Sequence, residues 1–522
     1  MEGRGVNALV LVGFMGAGKS SGARALAAEL GTEAVDSDRV VEDRLGESIE
    51  SYFDREGEPA FRAREEEVVL ELLGDGGAQV IALGGGAVGS ESVREALAPH
   101  TVVHLEVPPE EAWRRASNQG RPLARDRGRF AALHAERSAL YESVADAIVP
   151  PGEREAIRRV LPALVALRRA PAGTRMVWSG GARPPTLHSD PPRTPVAEYP
   201  VFAGEGLVGS GFFYPEQGRR FVVTDENVAS AVPFGGAEES IVVAPGEGSK
   251  TLASAEEVLR RLARAGAERG DLLVALGGGV AGDLGGLCAA LYQRGMRHVQ
   301  VPTSLVAQVD SAYGGKTGVD LPEGKNYAGA YHQPSAVLTD PALLATLPAE
   351  EAAAGYVEVV KTALIAGGPL WARVRRGGEV DTDTILGCLR TKLAVVAEDE
   401  RDGGRRQVLN LGHTVGHAIE SATGYRRYRH GEAVGIGLLA ALRLAGRDAL
   451  RVEVTELFSA RGLPLAFGGA SVDEVLSHIE RDKKRAGGEV PFVLLDAPGE
   501  VSHGHAVDPD DLRAAVEEVH AG

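Results

Sequence analysis

A glycine-rich turn near the N-terminus restricts this part of the chain to one kind of local fold. Residues 13–20 read GFMGAGKS, which fits G-x-x-x-x-G-K-[ST], and they lie between the apolar run 8–12 and the helical pattern SGARALAAEL. In a strand–turn–helix context, such a turn points its backbone N–H groups into one concavity at a helix N-terminus. The sequence therefore predicts a parallel α/β domain with a mononucleotide site, in which Lys19 reaches the outer phosphates and Ser20 binds magnesium.

The length of 522 residues predicts about three domains at roughly 100–200 residues each. Residues 171–195 hold six prolines and three glycines without helical or strand periodicity, so they are predicted to be a linker. Apolar β-rich runs alternate with helical stretches on both sides of it, whereas long Ala/Leu/Val helices dominate after about residue 340. We expect a P-loop domain over 1–170, an α/β domain over 196–338 and a mostly helical domain over 339–522.

Charge and cysteine content exclude several classes of protein. The 56 basic and 73 acidic residues give a formal charge of −17, opposite to the basic field that nucleic acids and membrane surfaces select. Cys288 and Cys388 alone cannot form a disulfide framework or a cysteine zinc site. No apolar run approaches the ~20 residues of a membrane span, and the N-terminus lacks a cleavage-like site. We expect a cytoplasmic protein that binds small molecules.

Further candidates for the first site follow the phosphate turn. Asp36 and Asp38 come after the next short strand, where one carboxylate can hold magnesium through water and the other can accept a hydrogen bond from an acceptor hydroxyl. A solvated turn is the alternative. Arginines and an open glycine turn lie further on, and guanidinium groups suit a small carboxylate substrate. These candidates are Arg62, the turn Gly84–Gly85–Gly86, Arg121 and Arg137.

Residues 6–165 resemble shikimate kinase, a member of the nucleoside-monophosphate-kinase-like P-loop group, in GFMGAGKS, DSD, FRAREEE, GGG, RPL and RSALY. The resemblance implies ATP with Mg²⁺ and in-line phosphoryl transfer to shikimate. It implies that Asp38 orients or deprotonates the hydroxyl, that Arg121 closes from a lid over 116–130, and that Arg114 or Arg115 stacks on adenine. The implied ATP and magnesium site is Gly16, Ala17, Gly18, Lys19, Ser20 and Arg121; the implied shikimate site is Asp38, Arg62, Gly84, Gly85, Gly86 and Arg137.

A second glycine turn lies in the later half of the chain. DLLVAL followed by GGGVAG at 277–282 satisfies G-x-G-x-x-G between a predicted strand and a helix beginning near Gly282, which favours a dinucleotide. The acidic residue usually found about twenty positions downstream is missing. Asp225 and Glu247 are the candidates for a ribose carboxylate.

Three histidines lie within 413–430. His413 and His417 are four residues apart and share one helix face, which is typical of a zinc pair or of hydrogen-bonded core histidines. Glu358 and His430 are both candidates for a third ligand, and two His with one carboxylate would leave zinc an open position. Cations in glycine-rich or otherwise special contexts nearby indicate a substrate with phosphate and carboxylate groups. These cations are Arg294, Lys316, Lys325, Lys361 and Arg406.

Residues 196–522 resemble 3-dehydroquinate synthase almost end to end, through GGGVAGDLGG, YQRG, VPTSLVAQVDS, GGKTGV, GKN, GYVEVVK, DERDGGRRQVLNLGHTVGHAIE, HGEAV and RDKK. The resemblance implies a Rossmann-like domain with a helical metal-binding domain, and NAD⁺ with zinc or cobalt held by Glu358, His413 and His430. The implied NAD contacts are Asp225, Asn227, Glu247, Lys250, Gly278, Gly279, Asp283, Thr303, Ser304, Lys316 and Lys325. The implied substrate contacts are Arg294, Asp310, Lys316, Lys325, Asn326, Lys361, Lys392, Arg406, Asn410, His417 and one of Lys483 or Lys484, with catalytic roles for Arg294, Lys316, Lys361, Arg406 and His417.

The two resemblances together imply one bifunctional enzyme of aromatic amino acid biosynthesis. The second half is expected to cyclise 3-deoxy-D-arabino-heptulosonate 7-phosphate to 3-dehydroquinate, releasing phosphate without net redox change, and to form a homodimer. Tyr313 and His332 depart from the usual pattern of the family. Two alternatives stay open: the second half is another sugar-phosphate cyclase, using sedoheptulose 7-phosphate or glucose 6-phosphate, or one half is a non-catalytic module.

Overall fold

The computed structural model describes residues 8–74, 79–117, 126–151, 156–180, 198–485 and 491–521, without the side chains of 156 and 482–485. The chain divides into an N-terminal unit, Met1–Phe202, and a C-terminal unit, Ala203–Gly522. Arg121 and most of the predicted lid lie outside the described residues, as do the side chains of Lys483 and Lys484.

The N-terminal unit contains a sheet in the order β2-β3-β1-β4-β5-β6-β7, parallel at every pairing from β2 to β6. Its short strands are largely apolar, and β1 is fully buried between β3 and β4. Buried strands of this kind need helices on both faces. The strands are β1 (Leu9–Val12), β2 (Ala34–Asp36), β3 (Val80–Ala82), β4 (Thr101–Leu105), β5 (Ala147–Val149), β6 (Arg175–Trp178) and β7 (Pro200–Ala203).

The helices of this unit follow the strands in the alternating order that the sequence predicts. The phosphate turn joins β1 to the first helix, and Gly16 and Gly18 take φ values of +84° and +90° that favour glycine. The helices are α1 (Lys19–Leu30), α2 (Ser37–Leu45), α3 (Ile49–Glu56), α4 (Glu58–Gly74), α5 (Glu91–Leu97), α6 (Pro109–Ala116), α7 (Arg127–Val144) and α8 (Ala156–Leu167).

A strand lies inside the segment predicted to be a linker. Residues 175–178 form β6, which pairs in parallel with β5 through Met176 and Val177. The strand has only four residues, RMVW, which are too few to show the alternation of a β-strand, and the surrounding prolines and glycines are typical of a linker. The prediction of a structureless 171–195 is therefore wrong at its N-terminal end, where buried apolar side chains extend the sheet.

The first part of the C-terminal unit is a parallel sheet in the order β14-β11-β10-β8-β9. Its strands are β8 (Arg220–Asp225), β9 (Glu239–Val243), β10 (Leu272–Gly277), β11 (Arg297–Pro302) and β14 (Ala336–Thr339), with the antiparallel hairpin β12 (Lys316–Leu321) and β13 (Gly324–Tyr331) beside them. Its helices are α9 (Glu226–Ala231), α10 (Leu252–Arg264) and α11 (Gly279–Leu291). The helix α11 begins three residues before the predicted Gly282, because the glycine turn closes already at Gly278.

Helices dominate after β14, which confirms the predicted order of an α/β part followed by a mostly helical part. The helices are α12 (Ala349–Ala366), α13 (Gly368–Val374), α14 (Thr382–Glu398), α15 (His413–Ala422), α16 (His430–Leu444), α17 (Asp448–Ser459), α18 (Val472–Arg485) and α19 (Pro509–Glu518). A hairpin of β15 (Phe492–Ala497) and β16 (Glu500–His505) accompanies them. None of the helices in the described ranges is long and apolar enough to cross a membrane.

Glycines bring α12, α15 and α16 unusually close together. A Cβ atom at Gly431 would lie 2.0 Å from the carbonyl oxygen of Ala354, and one at Gly437 would lie 2.2 Å from that of Gly412. Gly416 approaches the backbone of α16 in the same way, since its Cβ would lie 2.9 Å from Val434 Cα. The backbones of these helices therefore touch at positions where a side chain does not fit.

This packing predicts that Gly437→Ala destabilises the C-terminal unit. The added methyl group meets backbone atoms, and this overpacking destabilises the folded state by about 3 kcal/mol. Replacing glycine by alanine inside a helix stabilises it by about 1 kcal/mol. We expect the free energy of unfolding to fall by about 2 kcal/mol, measured by urea unfolding of the full chain. Gly235→Ala is the control because no atom lies within 4 Å of its added Cβ. Equal stability of the two variants would contradict the close packing.

Two histidines are stacked beside the sheet of the C-terminal unit. The rings of His298 on β11 and His332 lie 5.0 Å apart and nearly parallel, and His332 Nε2 donates to the carbonyl of Met296. His298 is buried, and neither of its ring nitrogens has a hydrogen-bond partner among the described residues. Burial lowers the pKa of His298 to about 3, with a smaller contribution from His332.

This depressed pKa predicts a loss of stability in mild acid. The unfolded chain binds a proton at His298 below pH ~6.5, while the folded chain does not until pH ~3, so its stabilising contribution is present above 6.5 and declines as the pH falls. Between pH 7 and pH 5, we expect the free energy of unfolding of wild type to fall by about 2 kcal/mol more than that of His298→Gln. Urea unfolding of both proteins at the two pH values measures this difference. His503→Gln, on the exposed part of β16, should follow wild type. Parallel curves for wild type and His298→Gln would contradict the assignment.

Candidate active sites

The phosphate turn of the N-terminal unit forms an open cradle at the start of α1. No side chain caps this helix N-terminus. Lys19 Nζ donates to the carbonyl oxygens of Gly13 and Phe14 at 2.8 and 3.1 Å, which holds the ammonium over the turn. Arg115 donates to the carbonyl of Gly16 at 2.8 Å. These groups place positive charge and backbone N–H groups around one concavity, as a phosphate chain requires.

Carboxylates and a guanidinium group converge on the turn Gly84–Gly86. A Cβ atom at Gly84 would lie 2.5 Å from both Asp38 Oδ1 and Glu65 Oε1. A Cβ at Gly86 would lie 1.9 Å from Arg62 Nη1, which donates to Glu65 Oε2 at 2.5 Å. Burial raises the pKa of Glu65, and Arg62 opposes this shift. The structure thus brings together Asp38, Arg62 and the glycine turn, as the sequence predicts.

Arg137 and Tyr141, both on α7, fix the far side of the same turn. Arg137 Nη1 donates to the carbonyl of Gly85 at 3.1 Å, and the hydroxyl of Tyr141 donates to the same oxygen. Sequence analysis did not single out Tyr141 or Glu65. Glu65 opens the run EEE, which resembles a solvated helix face, although its spacing of three residues from Arg62 was a usable signal.

The second glycine turn lies between β10 and α11. Gly277 has a φ of +159°, and a Cβ at Gly278 would lie 3.2 Å from Ser304 Oγ. Thr303 N donates to the carbonyl of Gly277 at 3.0 Å. Asp225 caps α9 by accepting from the backbone N–H groups of Asn227 and Val228, and its Oδ2 would lie 3.6 Å from a Cβ at Gly277. The predicted dinucleotide residues Asp225, Gly278, Thr303 and Ser304 therefore surround one turn.

A salt bridge lies beside this turn. Lys250 Nζ contacts Asp283 Oδ2 at 2.6 Å and Glu247 Oε1 at 3.9 Å, and the Lys250 side chain is buried. Burial alone would lower the pKa of Lys250, but the two carboxylates outweigh it and raise the pKa. Lys325 Nζ also lies 3.9 Å from Glu247 Oε1.

A cluster of imidazoles and one carboxylate lies where α12, α15 and α16 meet. Glu358 Oε1 lies 3.8 Å from His413 Nε2 and 3.9 Å from His430 Nε2. Glu358 is 1% exposed, and its Oε1 accepts no hydrogen bond within the described part of the chain. His417 completes a group of three histidines whose nearest ring nitrogens lie within 4.8 Å of one another. The cluster offers two possible ligand sets, three histidines or Glu358 with His413 and His430.

Burial and neighbouring cations keep two of these imidazoles neutral. Burial and the charge of Lys361 hold the pKa of His413 well below its usual value, and burial with the charge of His430 lowers the pKa of His417 to about 4. The carboxylate of Glu420 accounts for a raised pKa at His430, against the effect of burial. An imidazole with a lowered pKa keeps, at neutral pH, the lone pair that a metal requires.

Buried lysines and carboxylates alternate behind the cluster. Lys361 Nζ lies 2.5 Å from Glu358 Oε2, and Lys392 Nζ donates to Asp310 Oδ1 at 2.7 Å. Although burial opposes it, the two lysines hold the pKa of Asp310 far below its usual range. Burial lowers the pKa of Lys392 in spite of its pairing with Asp310.

One cavity of about 630 Å³ joins the dinucleotide turn to the imidazole cluster. Eleven predicted residues line it: Glu247, Lys250, Gly279, Asp283, Ser304, Asp310, Lys325, Asn326, Glu358, His417 and His430. It is also lined by residues that sequence analysis did not single out, among them Glu420, Tyr425, His478 and Arg481. Glu420 stands three residues after His417 in HAIE, a spacing that places both side chains on one helix face.

Six predicted substrate residues do not line this cavity in the described parts of the chain: Arg294, Lys316, Lys361, Lys392, Arg406 and Asn410. Arg294 is exposed and lies in a turn, in which both Gln293 and Arg294 have positive φ. Lys316 pairs with Asp402. Arg406 is buried and donates to the carbonyls of Glu400 and Gly314.

Family profiles match both units. The profile of shikimate kinase matches residues 15–165. The profiles of the N-terminal and C-terminal parts of 3-dehydroquinate synthase match residues 240–354 and 355–485.

Individual relatives and solved structures agree with the profiles. The 3-dehydroquinate synthase of Caulobacter vibrioides is 43% identical over 295 residues, which cover 52% of this chain and 79% of that protein. That of Brucella ovis is 42% identical over 352 residues, covering 60% of this chain and 93% of that protein. A solved 2-epi-5-epi-valiolone synthase from Streptomyces hygroscopicus, with NAD⁺ and Zn²⁺ bound, is 25% identical with a TM-score of 0.57, covering 63% of this chain and 98% of its own.

Proposed function

The chain belongs to the 3-dehydroquinate synthase family and carries a shikimate kinase domain ahead of it, and on this basis we propose how its residues divide the two reactions. Both families act in aromatic amino acid biosynthesis. In the proposal, the N-terminal unit phosphorylates the 3-hydroxyl of shikimate with ATP. The C-terminal unit converts 3-deoxy-D-arabino-heptulosonate 7-phosphate to 3-dehydroquinate and phosphate.

In the kinase, residues 16–20 cradle the ATP phosphates. The uncapped start of α1 and the positive-φ glycines leave backbone N–H groups for phosphate oxygens. Ser20 lies in the first turn of this helix, where its hydroxyl suits magnesium. Magnesium supplies charge neutralisation at the transferred phosphoryl group. Lys19 exchanges its carbonyl partners for phosphate oxygens, and Arg121 remains the predicted lid contact.

The shikimate site is assigned to the turn Gly84–Gly86 and the side chains around it. Arg62 and Arg137 bind the substrate carboxylate, because planar guanidinium groups match it in two hydrogen bonds. Asp38 accepts a hydrogen bond from the attacking hydroxyl and orients it toward the phosphate turn. Glu65 holds Arg62 in place through the 2.5 Å contact and leaves Asp38 as the carboxylate that faces the substrate.

In the synthase, we assign the metal to Glu358, His413 and His430. The observation that carries this assignment is the buried Oε1 of Glu358, which has no hydrogen bond and faces Nε2 of two imidazoles at 3.8 and 3.9 Å. A carboxylate buried in this way is costly unless a cation compensates it. Lys361 neutralises Oε2 and leaves Oε1 for zinc or cobalt, while His417 remains outside the ligand set as a proton acceptor.

The dinucleotide turn and the cations of the cavity then have consistent roles. NAD⁺ supplies a temporary hydride acceptor and the metal supplies a Lewis acid. Gly278 and Gly279 allow the pyrophosphate to approach the start of α11, and Asp225 or Glu247 binds a ribose hydroxyl. Lys325, Asn326 and Lys392 hold the phosphate and carboxylate of the substrate. His417, whose pKa is lowered to about 4, accepts a proton from the substrate.

Another sugar-phosphate cyclase activity is the alternative for the C-terminal unit. The identities of 42–43% to 3-dehydroquinate synthases, and the kinase domain of the same pathway, favour the heptulosonate substrate. The test is incubation of the full chain with 3-deoxy-D-arabino-heptulosonate 7-phosphate, NAD⁺ and zinc or cobalt. Absence of dehydroquinate, together with turnover of sedoheptulose 7-phosphate or glucose 6-phosphate, would overturn the assignment. A homodimer through this unit and a cytoplasmic location complete the proposal.

The two activities should respond to separate substitutions. Lys19→Ala removes a phosphate contact, so we expect shikimate phosphorylation to fall about 10²–10³-fold while dehydroquinate formation is unchanged. His413→Ala removes a metal ligand, so we expect the opposite pattern with a loss of about a hundredfold or more. Both rates are measured on the same preparation of the full chain, and each variant is the control for the other. Loss of both activities in either folded variant would contradict two independent active sites.

The role of Glu65 is tested by a matched pair of substitutions on α4. Glu65→Gln weakens the charge-assisted contact to Arg62, which contributes about 1.5–3 kcal/mol, so we expect the KM for shikimate to rise about tenfold or more. Glu67→Gln is the control, because Glu67 pairs with Arg64 at the same i,i+3 spacing but on the exposed face. Its KM should match wild type. A normal KM for Glu65→Gln would show that Arg62 does not depend on this carboxylate.

A further inference from the structure

We infer that Glu420 is a positioning residue of the synthase metal centre, which fixes the imidazole of His430 and holds Lys325 in the cavity wall. The inference rests on the proposed ligand set, because Glu420 can position a ligand only if His430 is one. It adds to the site a residue that contacts neither the metal nor the reacting atoms.

Glu420 is a buried carboxylate with both oxygens occupied. It lies on α15, its side chain is 2% exposed, and it lines the cavity. Its Oε2 lies 3.3 Å from His430 Nδ1, on α16. Its Oε1 accepts from Lys325 Nζ, on β13, at 3.0 Å. One side chain thus joins three elements that surround the site.

The contact with His430 determines which ring nitrogen faces Glu358. An ionised carboxylate only accepts hydrogen bonds, so Nδ1 of His430 must carry the proton and donate. In the neutral ring, the lone pair is then on Nε2, the nitrogen 3.9 Å from Glu358 Oε1. Acceptors of this kind fix the tautomer and the orientation of metal-bound histidines.

His413 shows the same arrangement with a different acceptor. Its Nδ1 lies 3.2 Å from the carbonyl oxygen of Leu411, and its Nε2 lies 3.8 Å from Glu358 Oε1. The carbonyl of Leu411 therefore accepts a hydrogen bond from Nδ1 of His413, as the Glu420 carboxylate does from Nδ1 of His430. Since a substitution cannot remove the carbonyl, Glu420 is the acceptor that mutagenesis can test.

The second oxygen connects the metal side of the cavity to the hairpin β12–β13. Lys325 Nζ also lies 3.9 Å from Glu247 Oε1 and 5.0 Å from the centre of the Tyr425 ring. Without Glu420, Lys325 would lose its closest carboxylate and His430 would lose its acceptor. The two effects are separable, since only the second acts directly on a ligand.

The test is the metal affinity of the full chain, measured without substrate. Glutamine has one acceptor oxygen, so Glu420→Gln cannot accept from both His430 and Lys325. We expect the dissociation constant for Co²⁺ or Zn²⁺, measured by competition with a chelator, to rise about 10–100-fold for Glu420→Gln and Glu420→Ala. Glu453→Gln is the control, because Glu453 pairs with Arg375 on an exposed face and should bind metal as wild type does.

His430→Ala separates failure of this inference from failure of the ligand assignment. If His430→Ala weakens metal binding and both Glu420 variants bind within about threefold of wild type, the positioning role is wrong and the ligand set stands. If His430→Ala binds metal normally, the ligand set is wrong and the positioning role falls with it. Far-UV circular dichroism of the metal-free proteins establishes that each variant is folded. Should Glu420→Gln not fold, Glu420→Asp replaces it, because it keeps the charge but shortens the reach by one methylene.

Discussion

The synthase site depends on the direct backbone contact of three helices. Glu358, His413 and His430 stand on α12, α15 and α16, and glycines let these helices approach until a Cβ at Gly431 or Gly437 would overlap a carbonyl oxygen. Ordinary helix pairs lie about 8–10 Å apart, and backbone contact of this kind needs positions that carry no side chain. Part of the glycine content thus has a structural reason, because glycines at these positions allow close contact between the helices that carry Glu358, His413 and His430.

Charge compensation is the second constraint on this site. A buried ion costs several kcal/mol in lost hydration. Lys361 and Lys392 offset this cost, since they lie within hydrogen-bond distance of Glu358 and Asp310. The pairing leaves one oxygen, Glu358 Oε1, without a hydrogen bond in the described part of the chain, facing the imidazoles of His413 and His430. The net charge of −17 therefore says little about this interior, where cations and anions alternate.

Sequence reasoning succeeded where function is encoded locally and failed where it depends on tertiary contact. The glycine turns at 13–18 and 277–279 were predicted because strand, turn and helix are neighbours in sequence. The strand Arg175–Trp178 was missed because four residues carry no period. Glu65 and Glu420 were missed because glutamate in a helix usually faces water, and only the fold buries these two. The spacing of His413 and His417 indicated a shared face correctly, but it could not show that α12 places a carboxylate opposite them.

Both sites satisfy their own charges before any substrate arrives. Lys19 donates to the carbonyls of its own turn, Arg62 pairs with Glu65, and Lys392 pairs with Asp310. A substrate anion must therefore exchange one partner for another, and the gain in free energy is only the difference between the two contacts. This exchange limits the affinity for the substrate. The internal pairs nevertheless stabilise the empty site, because an unpaired buried charge would destabilise the fold. The opposite holds at Glu358 Oε1, to which no group in the described ranges donates a hydrogen bond. A metal there adds an interaction instead of replacing one, which suits a resident ion rather than a substrate that must leave at every turnover.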